Sequence, residues 1–495
     1  LRRRALCLAV ALLVSSGGAD THAGGYSYDV GIKARALGGA FRAIADDWTA
    51  MAYNPAGLAE IPDNSLGISN GFHHNRFTYT PDYYQAGSVG IDPPATGYLN
   101  GQEIPNAHEI GWTPEAGLMV RLPVWGESSL GLSVYQTHDQ DIGWTLFQGL
   151  EGYSAFDFSS LAPQFAIDLD IVNFQVTFAR QFSEQLSVGV GLSAVRADLI
   201  HRSITLRDNP LPLAVRPHEK IPEYSVANGN GWSVGGKIGA LWKPTERLRV
   251  AGVFTPKTTI SVSGDVALEF YLPADTALAI SEGFLNNTDE YLLTTGFELL
   301  TATEFDVDVV APTSFGAGIA YDVSEKLTVS LDGEYTLWSQ FKGFEFSYNM
   351  DTAAGFFEIQ NLVTTDTLNL IYPFIRRNLS FPAQWDDAGR AMLGVQYHHT
   401  QDVTLLFGFS AEQTIMSSST ATPHFIDNGL KYTGSLGATY TINRWDLGFM
   451  AAFTTYDDIN VGEPVDVNDD GVIDNVPAFV GGDAFRSAFG FTYRF

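Results

Sequence analysis

The chain has 495 residues, of which 45% are hydrophobic, and its 56 acidic residues outnumber its 28 lysines and arginines to give a formal net charge of -28. This acidity argues against a nucleic-acid partner, because binding to a phosphate backbone needs clustered cations. The only cysteine, Cys7, lies close to the first residue, so the fold needs no disulfide and no thiolate metal site.

Residues 1–23 predict a secretory signal peptide. Arg2, Arg3 and Arg4 precede an apolar run, and small residues lead up to Ala23. This order of basic region, apolar core and small-x-small site predicts cleavage after Ala23. The apolar run is too short for a transmembrane helix, which takes about 20 residues, and no later uninterrupted apolar stretch reaches that length.

Residues 24–62 have the period of a helix rather than of a strand. Their large apolar side chains recur every three or four positions, at Leu37, Phe41, Ile44, Trp48 and Met51. The spacing predicts two short helices. Gly38-Gly39 should loosen the first helix. Asp46-Asp47 is placed to cap the second, and Asn54-Pro55 should end it, because the residue before proline avoids the helical region.

From residue 63 onward, short and long connections alternate between strand-like segments. The short ones include residues 183–184, 400–401 and 443–444, and the long ones include residues 81–108, 265–309, 340–387 and 457–483. This alternation predicts an all-β fold, a transmembrane antiparallel β-barrel of about 14 strands with tight periplasmic turns and long extracellular loops. A soluble β-sandwich also has strands of alternating polarity, but alternating turn lengths favour the barrel.

The individual strands alternate as a membrane barrel requires. Leu186, Val188, Val190 and Leu192 share one face, and small residues lie between them. An apolar helical segment that precedes the first strand has few places to bury itself except the lumen. The predicted domains are therefore a signal peptide at residues 1–23, a hatch that plugs the lumen at 24–62 and the barrel at 63–495.

The chain ends on alternating aromatic residues, Phe489, Phe491, Tyr493 and Phe495. This pattern resembles the terminal strand by which barrel proteins of Gram-negative outer membranes are recognised for assembly. We therefore expect the barrel assembly machinery and outer-membrane lipids as partners.

Two long connections, residues 139–163 and 277–305, carry more apolar side chains than solvated loops need. These side chains include Phe147, Leu150, Phe156, Phe158 and Phe284. They either capture a hydrophobic ligand or pack on one another as a lid. Both interpretations can hold together, since ligand sites are concave and largely apolar.

Strand parity points few basic side chains into the lumen. Lys237 lies on the face opposite to Trp232 and Val234, and the same test places Arg390 inside. Either cation can bind a ligand carboxylate. Ion pairs with carboxylates of the lumen are the alternative interpretation.

The last long connection resembles part of a calcium-binding loop. Asp466, Asn468, Asp470 and Asp474 match the spacing of its oxygen ligands. Position twelve is Pro477, where the full loop would need a bidentate Glu. The sequence therefore allows either a structural calcium ion or a plain acidic turn, and the fold requires no cofactor.

No enzyme active site can be recognised in the sequence. His73-His74 and His398-His399 have no nucleophile context around them. Neighbouring strand residues face opposite sides, so neither histidine pair can chelate one metal ion. We expect a protein that is not an enzyme.

The predicted hatch carries motifs of a known family. Residues 35–40, Ala45-Asp46-Asp47 and Asn54-Pro55-Ala56-Gly57-Leu58 resemble the amino-terminal hatch of the FadL family, the long-chain fatty acid and aromatic hydrocarbon transporters of Gram-negative outer membranes. Further similarities lie at residues 242–249, 311–341 and 385–387. The resemblance thus covers most of the chain.

The resemblance implies passive transport of long-chain fatty acids, hydrocarbons or similar lipids across the outer membrane. It assigns a gating role to Asn54, Pro55 and Ala56, and it implies lateral exit near Gly126 and Gly131 of the third strand. The alternative is a structural or interaction barrel of the same kind, such as a secretion-system shuttle or a surface attachment protein. A continuous apolar cavity beneath the loops would favour transport.

Overall fold

The computed structural model describes residues 29–83, 97–107, 110–122, 127–149, 158–208, 220–271, 298–348, 379–418, 421–426, 429–466 and 474–495. The predicted signal peptide, residues 1–23, lies outside these ranges, as does most of the second apolar loop. Among the described residues, no helix is long and apolar enough to cross a membrane.

The described N-terminal segment, residues 29–62, contains short helical elements joined by turns. These elements are helix α1 (Ile32–Ala36), helix α2 (Ala50–Tyr53) and a 3-10 helix (Pro55–Glu60). Phe41 and Ile44, which share the helical spacing of the sequence, lie between α1 and α2. The helices are therefore shorter than the apolar period predicts.

Local backbone chemistry explains where the two helices begin and end. Gly38 and Gly39 follow α1 with positive φ angles of 65° and 89°, a conformation that favours glycine. Asn54 follows α2 with an extended backbone, as a residue before proline prefers. The predicted cap of α2 by Asp46-Asp47 is wrong, because Thr49 is the N-cap residue and no side chain caps the helix. Asp47 Oδ1 accepts a hydrogen bond from the Thr49 backbone N–H at 2.8 Å, just ahead of the helix.

Strands make up most of the rest of the described chain and belong to one sheet, and two further 3-10 helices, Phe158–Leu161 and Trp338–Gln340, lie in connections between strands. They are β1 (Ser65–Pro81), β2 (Ile104–Pro105), β3 (Ile110–Arg121), β4 (Ser128–Trp144), β5 (Phe165–Ser183), β6 (Leu186–Asp208), β7 (Lys220–Trp242), β8 (Leu248–Thr255), β9 (Thr258–Tyr271), β10 (Glu298–Ala311), β11 (Ser314–Ser324), β12 (Leu327–Thr336), β13 (Gly343–Tyr348), β14 (Leu379–Pro382), β15 (Ala388–His398), β16 (Val403–Glu412), β17 (Lys431–Ile442), β18 (Trp445–Tyr456), β19 (Ile459–Val461) and β20 (Ala478–Arg494). Neighbouring strands pair antiparallel.

The sheet closes into a barrel of 14 strands. The first strand, β1, pairs with the last strand, β20, from Ser65 opposite Arg494 to Pro81 opposite Ala478. Four barrel strands consist of two segments each, namely β8 with β9, β10 with β11, β12 with β13 and β14 with β15, while β2 and β19 are short additions at the loop end. This architecture confirms the predicted fold class.

The outer wall of the barrel is apolar, and its inner wall is small or polar. On β6, Val190 and Leu192 point outward and are 49% and 62% exposed, whereas Ser187 and Ser193 point inward and are buried. A wall of this kind fits a bilayer outside and protein or water inside.

Two packed clusters divide the interior. One consists of the N-terminal segment and the wall around it. The other closes the loop end, and we call it the roof; its residues include Trp144, Phe147, Phe158, Phe344, Trp385 and Phe425. Trp144 Nε1 donates to the Pro423 carbonyl oxygen at 2.9 Å, and Gln140 Nε2 donates to the His424 carbonyl oxygen at 2.7 Å. The connection between β16 and β17 thus reaches β4 on the other side of the barrel.

Cysteine labelling in intact cells tests the orientation of the barrel. Asn443 lies in the tight turn between β17 and β18, and Asn460 lies in β19 at the loop end. A membrane-impermeant maleimide should label Asn460→Cys, and it should reach Asn443→Cys only after the outer membrane is permeabilised, because tight turns face the periplasm. Labelling of Asn443→Cys alone would mean that the barrel is inverted.

Candidate functional site

The N-terminal segment approaches the barrel wall most closely at glycines. An added Cβ at Gly408 would lie 2.1 Å from the backbone N of Gly38, and one at Gly189 would lie 2.3 Å from the carbonyl carbon of Pro55. We call the inward-facing glycines that contact this segment the glycine belt, which includes Gly67, Gly117, Gly131, Gly189, Gly239, Gly394, Gly408 and Gly437. Only glycine leaves room for such close approach, so the belt shapes the seat of the segment.

Side chains of the wall bind the backbone of the N-terminal segment from opposite sides of the barrel. Gln175 of β5 donates from Nε2 to the Met51 carbonyl oxygen at 2.7 Å. Ser435 of β17 donates from Oγ to the Ala36 carbonyl oxygen at 3.0 Å. Because buried carbonyl groups need partners, these bonds fasten a segment that has little secondary structure of its own.

Asn54, Pro55 and Ala56, the predicted gating residues, pack against β6 and β7. Asn54 is fully buried. Its Nδ2 donates to the Ala240 carbonyl oxygen of β7 at 3.2 Å, and its Oδ1 accepts from the Ala56 N–H at 3.1 Å. Pro55 lies over Gly189 of β6. The motif therefore docks the 3-10 helix onto the wall in addition to ending α2.

A cavity of about 180 Å³ lies between the N-terminal segment and the roof. We call it the lumenal cavity; its walls include Tyr53, Tyr135, Thr137, Ile171, Lys237 and Trp338. Tyr53 belongs to the N-terminal segment and Trp338 to the roof cluster. The cavity thus occupies the space that the two packed clusters leave between them.

Lys237 and Arg390, the predicted ligand-binding cations, both line the lumenal cavity. Lys237 Nζ donates to the Ala52 carbonyl oxygen. Arg390 forms ion pairs with Asp29 at 2.7 Å and with Glu412 at 3.9 Å. Arg390 therefore pairs with carboxylates of the lumen, which was the alternative to binding a ligand carboxylate. Within the described ranges, Lys237 has no carboxylate partner.

The ion pair with Arg390 keeps the Asp29 carboxyl charged. Burial by itself raises the pKa of this group, but the charge and the hydrogen bonds of Arg390, with Arg486 and Arg35 nearby, lower it below its usual value. A charged Asp29 holds the start of the N-terminal segment against β15.

The barrel wall has an unpaired stretch between β3 and β4, which we call the side window. These strands pair from Arg121 opposite Ser129 up to Ala116 opposite Val134. Above that last pair, residues 110–115 of β3 pair with β1 alone, and the remainder of β4 pairs with β5 alone. Two neighbouring strands thus separate in the loop-side half of the wall.

Two features of the sequence keep these strands apart. Pro114 lies in the window half of β3 and has no N–H to donate to a ladder. On β4, a β-bulge between Gln136 and His138 shifts the register, and bulges bend the strand that carries them. At the upper rim, the Ala107 N–H donates to the Gly143 carbonyl oxygen at 2.8 Å. The side window is therefore bounded above and below by hydrogen bonds.

A second cavity, of about 690 Å³, lies at the tight-turn end below the N-terminal segment. We call it the vestibule; its charged lining includes Lys33, Asp46, Asp47, Arg249, Asp322 and Arg494. Lys33 and Asp46 form an ion pair at 2.6 Å. Burial, with Asp46 alongside, raises the pKa of Asp47 to about 6. The tight-turn mouth of the barrel is thus polar.

The described part of the first apolar loop packs as a lid. Phe147 and Phe158 are buried in the roof, where their rings meet edge to face with centroids 5.1 Å apart. Leu150, Phe156 and Phe284 lie outside the described residues. Capture of a ligand by these loops stays a prediction.

The predicted calcium loop is only partly described. Asp466 and Asp474 belong to the described ranges, and Asn468 and Asp470 do not. Within those ranges, no three His, Cys, Asp or Glu side chains form a group that can hold a metal ion. The Asp474 N–H donates to the Val465 carbonyl oxygen at 2.9 Å, so the two flanks of the loop run together. Calcium binding stays a prediction.

Sequence reasoning missed two parts of this site. Glu115 of β3 is fully buried and binds Arg35 of the N-terminal segment with a 2.5 Å ion pair. Gly131, which the family resemblance placed near a kink together with Gly126, lies under Met51 in the glycine belt, and Gly126 lies outside the described residues. Strand parity contained the signal for both, because Glu115 and Gly131 occupy inward-facing positions.

The chain is similar to known proteins over nearly its whole length. A family model described as outer membrane protein transport protein (OMPP1/FadL/TodX) matches residues 21–495. A FadL homologue of Pseudomonas aeruginosa superposes with a TM-score of 0.70 at 15% identity, covering 95% of this chain and 99% of that one. The toluene transporter TodX of Pseudomonas putida superposes with a TM-score of 0.64 at 14% identity, covering 96% of this chain and 100% of that one. The toluene transporter TbuX of Ralstonia pickettii superposes with a TM-score of 0.61 at 16% identity, covering 94% of this chain and 98% of that one. No curated protein sequence matches significantly.

Replacing a glycine of the belt tests whether the N-terminal segment closes the barrel. Gly408→Val should displace the segment, because no side chain fits between Gly408 and the backbone of Gly38. The purified variant should then conduct ions several-fold better than the wild type in planar bilayers. Gly434→Val on β17 is the matched control, since an added Cβ there meets nothing within 4 Å. Equal conductance of all three proteins would mean that the wall yields and the segment stays seated.

Proposed function

Because the chain belongs to the outer membrane protein transport family (OMPP1/FadL/TodX), we propose that hydrophobic small molecules pass through its lumenal cavity and leave sideways through the side window. The barrel lies in the outer membrane of a Gram-negative bacterium. The family consists of transport channels, and we assign no catalytic role to this chain.

The observation that carries this proposal is the contact between the lumenal cavity and the side window. Tyr135 and Thr137 stand on the window edge of β4, directly above the last β3–β4 pair, and both also line the cavity. A molecule in the cavity therefore lies beside a stretch of described wall where two neighbouring barrel strands do not pair. Passage there leads into the bilayer without crossing the N-terminal segment.

The size of the lumenal cavity favours compact ligands. Its volume is about 180 Å³, and an engineered protein cavity of about 150 Å³ binds benzene. A monoaromatic hydrocarbon fits such a space, whereas a long acyl chain needs the roof or the N-terminal segment to move. The relatives TodX and TbuX are toluene transporters by name, which supports monoaromatic hydrocarbons as cargo.

The N-terminal segment has the properties expected of a hatch. It fills the barrel between the lumenal cavity and the vestibule. Asn54, Pro55 and Ala56 hold its 3-10 helix against β6 and β7, so we assign them the gating role that the motif implies. Their close fit to Gly189 and Gly239 means that opening requires the whole motif to leave the wall.

The polarity of the two possible exits favours the lateral one. The vestibule is lined by charged side chains and leads to water, where apolar surface costs about 25 cal/mol per Å². The side window leads to acyl chains, in which the same surface stays buried. An apolar molecule therefore gains free energy by the lateral route alone.

The remaining partners follow from the outer surface of the barrel. Outer-membrane lipids cover its apolar wall, and β20 offers the alternating aromatic residues Phe489 and Phe491 to the assembly machinery. A calcium ion at Asp466, Asn468, Asp470 and Asp474 would order the last long loop.

Uptake by cells with and without the protein tests the transport function. Labelled monoaromatic hydrocarbons should enter faster in cells that contain the protein, and alkanes or fatty acids should show a smaller effect, because the lumenal cavity is short. A strain that carries the Gly408→Val variant controls for leakage through a displaced hatch. Equal uptake of every compound with and without the protein would contradict transport and favour an interaction barrel.

Closing the side window tests the lateral route. Trp112→Cys and Thr137→Cys place thiols on the two edges of the window, and a short bismaleimide should join them. Cross-linked cells should lose the uptake that the protein confers, since the strands can no longer part. The control pair, Ala116→Cys with Val134→Cys, joins positions that already face each other and should leave uptake unchanged. Uptake that survives a closed window would contradict lateral exit.

A further inference from the structure

Glu115 joins the N-terminal segment to the edge of the side window. It lies on β3, one residue above the last β3–β4 pair, Ala116 with Val134. The side chain is completely buried. Its position is therefore the lower corner of the window, on the strand that has a neighbour on one side only above this point.

The Glu115 carboxylate is bound mainly by the N-terminal segment. Arg35 Nη2 donates to Oε1 at 2.5 Å, and the Gly31 N–H donates to Oε2 at 2.8 Å. Ser69 of β1 adds a bond from Oγ to Oε2 at 2.7 Å. Arg35 also donates to Thr113 Oγ1 at 3.1 Å, two residues further along the window edge. A buried carboxylate that loses its cation is strongly destabilised, so these groups move together.

The strand that carries Glu115 can follow such a movement. Residues 110–115 are held by β1 but not by β4, so a displacement of this edge breaks no ladder on the window side. The other cation of the segment with a buried carboxylate partner is Arg42, which binds Asp332 and Glu334 of β12. That strand is paired with β11 and with β15, and it holds its place whatever the segment does.

We propose that the Arg35–Glu115 pair is the coupling between the hatch and the side window, so that a shift of α1 changes the separation of β3 and β4. Arg35 and Glu115 are positioning residues for transport, and this inference rests on the proposed function. Asn54, Pro55 and Ala56 of the N-terminal segment pack against β6 and β7, away from the window. These three residues hold the hatch against the wall, whereas Arg35 transmits a movement of the hatch to β3.

The rate of cross-linking between Trp112→Cys and Thr137→Cys in the purified protein measures this coupling directly and needs no transported compound. Arg35→Met and Glu115→Gln should each change the rate about tenfold, a size usual for coupled sites. The double variant should match the single ones, because both remove the same interaction. Arg35→Lys keeps the charge, so its cross-linking rate should lie between the rates of these variants and the rate of the wild type.

Arg42→Met is the matched control. It also removes an arginine of the same segment from a buried carboxylate, but its partner strand is paired on both sides. It should loosen the segment, seen as faster proteolysis of residues 29–62, and leave the cross-linking rate across the window unchanged. Equal changes from Arg35→Met and Arg42→Met, or none from Arg35→Met and Glu115→Gln, would overturn the coupling.

Assembly and transport are read out separately. Heat-modifiable migration of each variant in gels reports a folded barrel. If Arg35→Met does not assemble, Glu115→Gln and Arg35→Lys provide the test. Cross-linking rates that change as expected in the Arg35 and Glu115 variants, together with uptake that persists when the window is closed, would support the Arg35–Glu115 inference and reject the lateral route. Cross-linking rates that the Arg35 and Glu115 variants leave unchanged, together with uptake that stops when the window is closed, would reject the Arg35–Glu115 inference and leave the lateral route intact.

Discussion

The close fit between the N-terminal segment and the glycine belt is the constraint on which the rest of the structure depends. Barrels of about eight strands fill their lumen with their own side chains, and a barrel of 14 strands is too wide for that. The segment fills the space, and the glycines let its backbone touch the wall at Gly189 and Gly408. Since Gln175 and Ser435 also bind its carbonyl groups, the segment can leave its seat only by exchanging several buried bonds together.

That seat divides the lumen into a small cavity on the loop side and a charged vestibule on the other. With the roof packed above and the segment below, the wall itself is the shortest way out of the lumenal cavity. The wall is continuous wherever neighbouring strands pair. It is discontinuous between β3 and β4, where Pro114 and the bulge at Gln136 weaken the ladder. The proposed lateral route therefore uses an irregularity of the sheet, and β1 and β5 still pair with the outer sides of the two separated strands.

The sequence alone predicts the barrel well, because strand parity and turn length are local properties. It also places Lys237 and Arg390 in the lumen for the same reason. It does not predict the closer partner of Arg390, since Asp29 lies 361 positions away. It overestimates the helices around Phe41 and Ile44, because short helices are marginal and wall contacts decide their length. The residues by themselves do not predict the side window, since the absence of a pairing between two strands is a tertiary property, and only the family resemblance pointed to the third barrel strand, β4.

The polar groups of the lumenal cavity do not contradict an apolar cargo. Tyr135 donates from its hydroxyl group to Gln175 Oε1 at 2.6 Å, and Gln175 in turn donates to the Met51 carbonyl oxygen at 2.7 Å. Because Tyr135 and Gln175 are already paired with each other and with the Met51 carbonyl group, an apolar molecule beside them leaves none of these hydrogen bonds broken. Its affinity is then limited to modest apolar burial. Weak binding suits a passive channel, because a compound that is held tightly in the cavity does not leave through the window.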